Sequence, residues 1–176
     1  MIFIGLTSQF GWVFLTAVVL AFECLLIGML FAGGARRKVF TEEFMKRNFE
    51  REHTEVSSEP ITAGGYPDMG SGWYSRKLSY TAWWNFNNAQ RAHYNFVETI
   101  AATTLLLIVG GLYQPIIAAG VGLAVIIGRL AFAIGYTYGG PKGRMIGGII
   151  IDLGYLALFV LSCMSCYKMI RGTNIG

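Results

Sequence analysis

Apolar residues run along this chain in four long blocks, and the charged residues gather between them. The first block extends from Phe10 to Gly33, with Glu23 alone as an acid inside it. The second starts amphipathic and turns apolar after Thr99, covering about Ala82 to Tyr113. The third runs from Pro115 to Tyr138 and the fourth from Ile146 to Met169. None shows the alternation of a strand or turn signals at strand spacing, so a sheet is excluded. At 1.5 Å per residue, about 20 apolar residues cross a hydrocarbon core roughly 30 Å thick. Pro115 suits a first helical turn, and Gly139, Gly140 and Pro141 predict the stop of the third helix before the fourth begins. The first block is too long for an ordinary signal peptide and lacks its cleavage site, so it reads as a retained helix. The pattern therefore predicts an all-α, integral membrane four-helix bundle. It forms one domain over residues 1–176, with an extended loop at about 35–80.

Composition agrees. Of the 176 residues 54% are hydrophobic and only 14% charged, against roughly a quarter charged in soluble domains. Mean hydropathy is +0.50. No repeat, low-complexity tract or nucleic-acid motif stands out, and a net charge of +4 fits a membrane protein with basic edges.

Basic residues set the expected orientation. The second and third helices are joined by little more than Leu112 to Gln114, so the other two loops share the opposite face. The first loop carries Arg36, Arg37, Lys38, Lys46, Arg47, Arg51, Arg76 and Lys77, and the third carries Lys142 and Arg144. The positive-inside rule puts that face in the cytoplasm and both termini across the membrane. Within the first loop, TEEFMKRNFEREHTEVSSEP reads as a charged helix running into a Ser–Pro break. The following TAGGYPDMGSGWYSR is turn-rich with exposed aromatics. The loop is too small to bury a core of its own and is expected to cap the bundle.

Three cysteines make no disulfide framework. Cys163 and Cys166 have C-x-x-C spacing, but no second pair and no nearby histidine completes a zinc site. Helix packing by small polarizable residues accounts for them, and no metal is expected.

Ionisable side chains at membrane depth cost several kcal/mol unless paired or hydrated, and they mark function. Arg91, Asn95 and Glu98 lie four and three residues apart, on one helix face. The stripe suits a ligand carrying carboxylate and ammonium groups, because arginine grips carboxylates with two parallel hydrogen bonds. An internal Arg91–Glu98 salt bridge explains it equally. His93, two residues from Arg91, points roughly 200° around the helix. It is either a satisfied interfacial histidine or part of a site made by the next subunit. Arg129, Phe132 and Tyr136 share another face. Arg36, Arg37, Lys142 and Arg144 stand at helix ends on one membrane surface, where topology and lipid headgroups account for most such residues. Glu23 and Asp152 are expected to pair with a buried arginine or to face the bundle interior.

The segment FNNAQRAHYNFVE, Phe86 to Glu98, resembles the signature of the MAPEG family, the membrane-associated proteins of eicosanoid and glutathione metabolism. The stretch Gly110 to Arg144 is similar to the microsomal glutathione S-transferase type 3 branch of that family, as are GARRKVF and YPDM. The charged insert from Thr41 to about Gly64 has no counterpart in the pattern. The resemblance implies a homotrimer of four-helix bundles with glutathione, a co-substrate, bound between subunits at the cytoplasmic side. It implies that Arg91, Asn95, Glu98 and Tyr136 hold the tripeptide. His93 and Arg36 would contribute from the adjacent subunit, Arg144 would stabilise the thiolate, and Arg37 would lie near a lipophilic second substrate. It also implies a transferase or peroxidase acting on lipophilic electrophiles or lipid hydroperoxides. Endoplasmic reticulum is the implied membrane, with a mitochondrial membrane as the alternative. Phe132 stands where relatives have a tyrosine, and Thr99 where some have another. That loss, the charged insert and exposed Trp73, Trp83 and Trp84 motivate the other reading, a non-catalytic structural subunit of a larger membrane protein complex.

Overall fold

The computed structural model describes residues 8–172. The tails 1–7 and 173–176, to which the expected placement of the termini refers in part, lie outside the described residues. Among the described residues four helices are long and apolar enough to cross a membrane: Phe10–Val39, Tyr80–Gly111, Pro115–Gly143 and Met145–Ile170. The first is continuous but not uniform. Its α-helical part α1 (Phe10–Ile27) passes through a wider π-turn at Gly28–Ala32 into α2 (Gly33–Val39). A short amphipathic helix α3 (Glu42–Thr54) follows in the loop, then the spans α4 (Tyr80–Gly111), α5 (Pro115–Gly143) and α6 (Met145–Ile170). No strand occurs among the described residues.

Two boundaries differ from the apolar pattern. The first span continues past Gly33 to Val39, because Arg36, Arg37 and Lys38 occupy its last turn and complement the helix dipole. The third does not stop at Tyr138. It kinks at Gly140, where φ is +66° and ψ −158°, a region essentially closed to residues with a Cβ. Pro141 then opens one more turn, where its missing N–H is no loss.

Three apolar clusters stack along the bundle. Phe10, Val13, Leu107, Ala118 and Leu158 fill the end near the tight Leu112–Gln114 turn. Leu20, Ile27, Phe96, Val125 and Phe132 fill the middle. Phe40, Met45, Phe49, Ile61 and Phe86 fill the loop end. Packing between α5 and α6 is the closest: a Cβ on Gly147 would fall 2.6 Å from the Gly128 carbonyl oxygen and 2.6 Å from the Phe132 Cα. Seryl hydroxyls also join α6 to α4, Ser162 Oγ donating to the Leu106 carbonyl at 2.9 Å and Ser165 Oγ to that of Gly110 at 3.4 Å. Such interhelical bonds and small-residue contacts hold spans together where lipid offers no hydrophobic drive. Outward residues such as Leu15, Val18, Phe22 and Leu25 are exposed, as lipid contact requires.

The loop caps the bundle using apolar residues from the spans. Thr41 caps α3, its Oγ1 accepting from the Phe44 N–H at 3.2 Å. Phe40 and Phe49 then pack against Phe86 of α4 and Tyr74. The turn-rich half is organised by Asp68, which is buried. Its carboxylate accepts from the N–H groups of Gly70 and Ser75 at 2.7 Å each and Gly72 at 3.1 Å, and from the Ser75 hydroxyl at 2.7 Å. The Gly70 carbonyl in turn accepts from Trp83 Nε1 at 2.9 Å and Asn87 Nδ2 at 3.0 Å, tying the loop to α4. Trp83 is thus half-buried rather than exposed, while Trp73 remains 63% exposed.

Two expectations follow. Gly147→Val forces α5 and α6 apart and lowers stability by about 1–3 kcal/mol, read as a fall in the thermal midpoint. Gly34→Ala, with nothing within 4 Å of its new Cβ, leaves the midpoint unchanged or raises it. For Asp68, burial opposes ionisation, but the bonds from Ser75, Gly70 and Gly72 outweigh it and hold the carboxyl below its usual range. A lowered folded pKa gives stability that is complete above the unfolded value, about 3.9, and is lost as pH falls through the folded value. Tryptophan emission is expected to report loosening of the loop in that acid window, and Asp68→Asn to remove this pH dependence.

Candidate functional site

Arg129 of α5 is the most deeply placed charge in the bundle, at 2% exposure. Its guanidinium reaches two other spans. Nη1 donates to Asn95 Oδ1 of α4 at 2.8 Å, and Nη2 donates to the Thr99 hydroxyl of α4 and the Tyr155 hydroxyl of α6. The Phe96 ring centroid lies 4.6 Å away. No carboxylate stands within 4.0 Å of Arg129 among the described residues. Glu23 turns one buried oxygen, Oε2, inward without a hydrogen-bond partner, and Arg129 Nε is likewise unpartnered.

This network has a chemical consequence for Asn95. Arginine only donates, so the Asn95 oxygen must face it, and the amide NH2 is left without an acceptor among the described residues. Beside it opens a cleft of about 340 Å³ lined by Asn95, Thr99, Phe132, Arg144, Asp152 and Tyr155, with Gly148 and Ile151 in its wall. Arg144, at the junction of α5 and α6, overhangs this cleft. Its guanidinium carbon lies 5.9 Å from the Phe132 ring centroid and 5.3 Å from that of Tyr136, within cation–π range.

The sequence-derived residues divide by position. Arg91 and Glu98 lie on the exposed face of α4, one turn to either side of Asn95. They approach to 4.0 Å, with side chains 52% and 56% exposed. An ion pair so exposed contributes about 0–1 kcal/mol, so either partner can be drawn to a ligand at little cost. Tyr136 is buried, its ring 5.7 Å from that of Phe132. His93 points away from the Arg91 face, half-buried against the first span. A Cβ on Gly28, in the π-turn, would fall 2.7 Å from its Nε2. Arg37 is exposed. Arg36 is drawn into the loop, at 5% exposure. It donates to the carbonyls of Gly64 at 3.1 Å and Gly65 at 3.3 Å and to Met69 Sδ at 3.0 Å, with the Tyr66 ring centroid 4.4 Å away. Within one chain the structure thus joins Asn95 and Arg144 at the cleft, buries Tyr136 behind it against Phe132 and Arg144, sets Arg91 and Glu98 on its outer side, and keeps Arg36 and His93 apart from it.

Asp152 departs from expectation: it neither pairs nor faces the interior, but is exposed at the cleft rim. Tyr155 was not singled out by the sequence pattern. The available signal was its spacing of three from Asp152, which places both on one face of α6. Cys163 and Cys166 are exposed and free. Among the described residues no group of three His, Cys, Asp or Glu side chains is placed to hold a metal.

A cleft with a guanidinium and the Asp152 carboxylate at its rim, an unspent amide and a phenol can receive a peptide-like molecule carrying charges of both signs through hydrogen bonds. The sequence model of the MAPEG family matches residues 10–165, which takes in every residue of this site and nearly all of the four spans. Membership of that family suggests a membrane glutathione transferase or a related role in eicosanoid and glutathione metabolism. By the extent of that match, the chain belongs to the MAPEG family.

Proposed function

We propose that the cleft beside Arg129 binds glutathione. In this reading the chain is a membrane-bound glutathione S-transferase or glutathione peroxidase of the microsomal type 3 kind, acting on lipophilic electrophiles or lipid hydroperoxides. The supporting observation is the convergence of Asn95 and Arg144 in one cleft, with Arg91 and Glu98 one turn away on the same helix. Arg91 takes a carboxylate of the tripeptide through its planar fork, Glu98 its ammonium group, and the free Asn95 amide a carbonyl. Tyr136 supports Arg144 from below. The chain works as one four-span domain in a homotrimer, where His93 and Arg36 serve the adjacent subunit and Arg37 lies toward the second substrate. The basic loop end faces the cytoplasm, in the endoplasmic reticulum or a mitochondrial membrane.

Arg144 carries the chemistry. Only the thiolate is nucleophilic, and a free thiol titrates near about 8.5. Lowering that by about two units takes about 2.7 kcal/mol of preferential thiolate stabilisation, within reach of a guanidinium in a partly dry cleft. The second substrate reaches the sulfur from lipid, which is why such chemistry belongs in a membrane.

One feature favours the structural-subunit reading. Val56 and Trp73 stand 84% and 63% exposed side by side on the loop, and Tyr66 73% exposed, apolar side chains suited to a protein partner. Mild-detergent purification separates the two, since a protein that runs only as its own oligomer is no such subunit.

The direct test is glutathione titration of the purified protein. Arg91→Ala is expected to weaken binding at least about tenfold, roughly 1.4 kcal/mol. Arg144→Ala is expected to bind with modest loss but to show little thiolate absorbance at neutral pH. Thiolate formation equal to wild type in both variants rejects the assignment.

A further inference from the structure

Phe132 brings no hydroxyl to the cleft, yet a hydroxyl is there. Tyr155 lines the same cleft from α6, and its oxygen accepts from Arg129 Nη2. A hydroxyl that accepts still has its own proton to give. Among the described residues that proton has no acceptor. The phenol is therefore a donor with its lone pair occupied by a cation, and such a donor is strengthened, because each bond in a chain polarises the next. Thr99, the other hydroxyl that Arg129 holds, is spent: its Oγ1 donates to the Asn95 carbonyl at 2.8 Å.

Charge bears on the same cleft. Arg129 is a buried cation with no carboxylate within 4.0 Å among the described residues, and Glu23 of α1 acts on it from farther off. Asp152 is an exposed carboxylate at the cleft rim that opposes an anion. Arg144 at the mouth and Arg129 behind Tyr155 are the cations that offset it.

We infer that Tyr155 is a catalytic residue whose hydroxyl, held by Arg129, donates a hydrogen bond to the glutathione sulfur and stabilises it as thiolate. The inference rests on the glutathione reading of this cleft. Tyr155 transfers no proton: its O–H bond stays intact, and the thiol proton leaves through the open mouth to water. Arg144 attracts the sulfur by charge from the mouth, and Tyr155 fixes its direction from within. Arg129 is a positioning residue, acting through Tyr155 and Asn95.

The test is a pH titration of the thiolate band of glutathione bound to the protein in lipid nanodiscs, with binding measured separately by calorimetry. Tyr155→Phe keeps the ring and is expected to bind glutathione while raising the pKa of the bound thiol by about one unit, a tenfold loss of thiolate at fixed pH. Tyr155→fluorotyrosine keeps the shape and makes a stronger donor, so the pKa is expected to fall. A role confined to packing would move the midpoint of thermal unfolding but not the thiol titration. A bound-thiol pKa unchanged in both variants, with glutathione affinity intact, overturns this inference and leaves the glutathione reading standing. Failure of the wild-type protein to bind glutathione overturns both.

Discussion

A guanidinium at membrane depth must have its donors met by protein, because lipid offers no acceptors. Arg129 meets this at both terminal nitrogens, though not at Nε, by drawing Asn95 and Thr99 from α4 and Tyr155 from α6 onto one side chain of α5. That single requirement fixes the mutual rotation of three spans. A turn of any one would strand a buried donor, which costs more than the bond itself contributes. It also decides what the neighbouring cleft can offer. Asn95 must present its amide, Thr99 is consumed, and Tyr155 keeps a proton to give. The chemistry available at the site is thus written by the way a structural cation is satisfied.

Around that centre the fold separates tasks. The close α5–α6 contact at Gly147 and Gly128 holds Phe132 and Arg144 near each other across the helical junction. The kink at Gly140 lets α5 turn into α6 within a few residues, so the guanidinium of Arg144 overhangs the cleft instead of pointing along the helix axis. The loop, by contrast, is built around an anion. Asp68 gathers three backbone N–H groups and a hydroxyl, and Arg36 binds the glycine carbonyls beside it. Both ends of this arrangement fasten to spans, Arg36 on α2 and Gly70 on α4 through Trp83 and Asn87. The cap therefore links the first and second spans at the end where the cleft opens. Arg36 lies at 5% exposure in the chain itself.

Asp152 and the Arg91–Glu98 pair lie on the outer surface near the cleft. A carboxylate facing hydrocarbon is expensive, so the sector of the bundle bearing Asp152 is unsuited to bare lipid contact and calls for water, ligand or protein against it. The apolar flank formed by Leu15, Val18 and Phe22 has no such need. The molecule is in this sense two-sided, with a lipid face and a chemical face.

The apolar pattern by itself determined the four spans, the tight Leu112–Gln114 turn and the gathering of basic residues at one end, because bilayer thickness sets helix length and leaves few alternatives. Helical periodicity also placed Arg91, Asn95 and Glu98 on one face and turned His93 away, since that follows from residues per turn alone. Only the tertiary structure decided which polar groups are spent and which are free. Arg36 and Arg37 are adjacent and chemically alike in sequence, yet within the chain one is drawn into the loop and the other exposed. Tyr155 looked like any aromatic in an apolar run until Arg129, 26 residues away, claimed its oxygen. Such outcomes depend on distances between helices, and spacing along one helix carries no information about them.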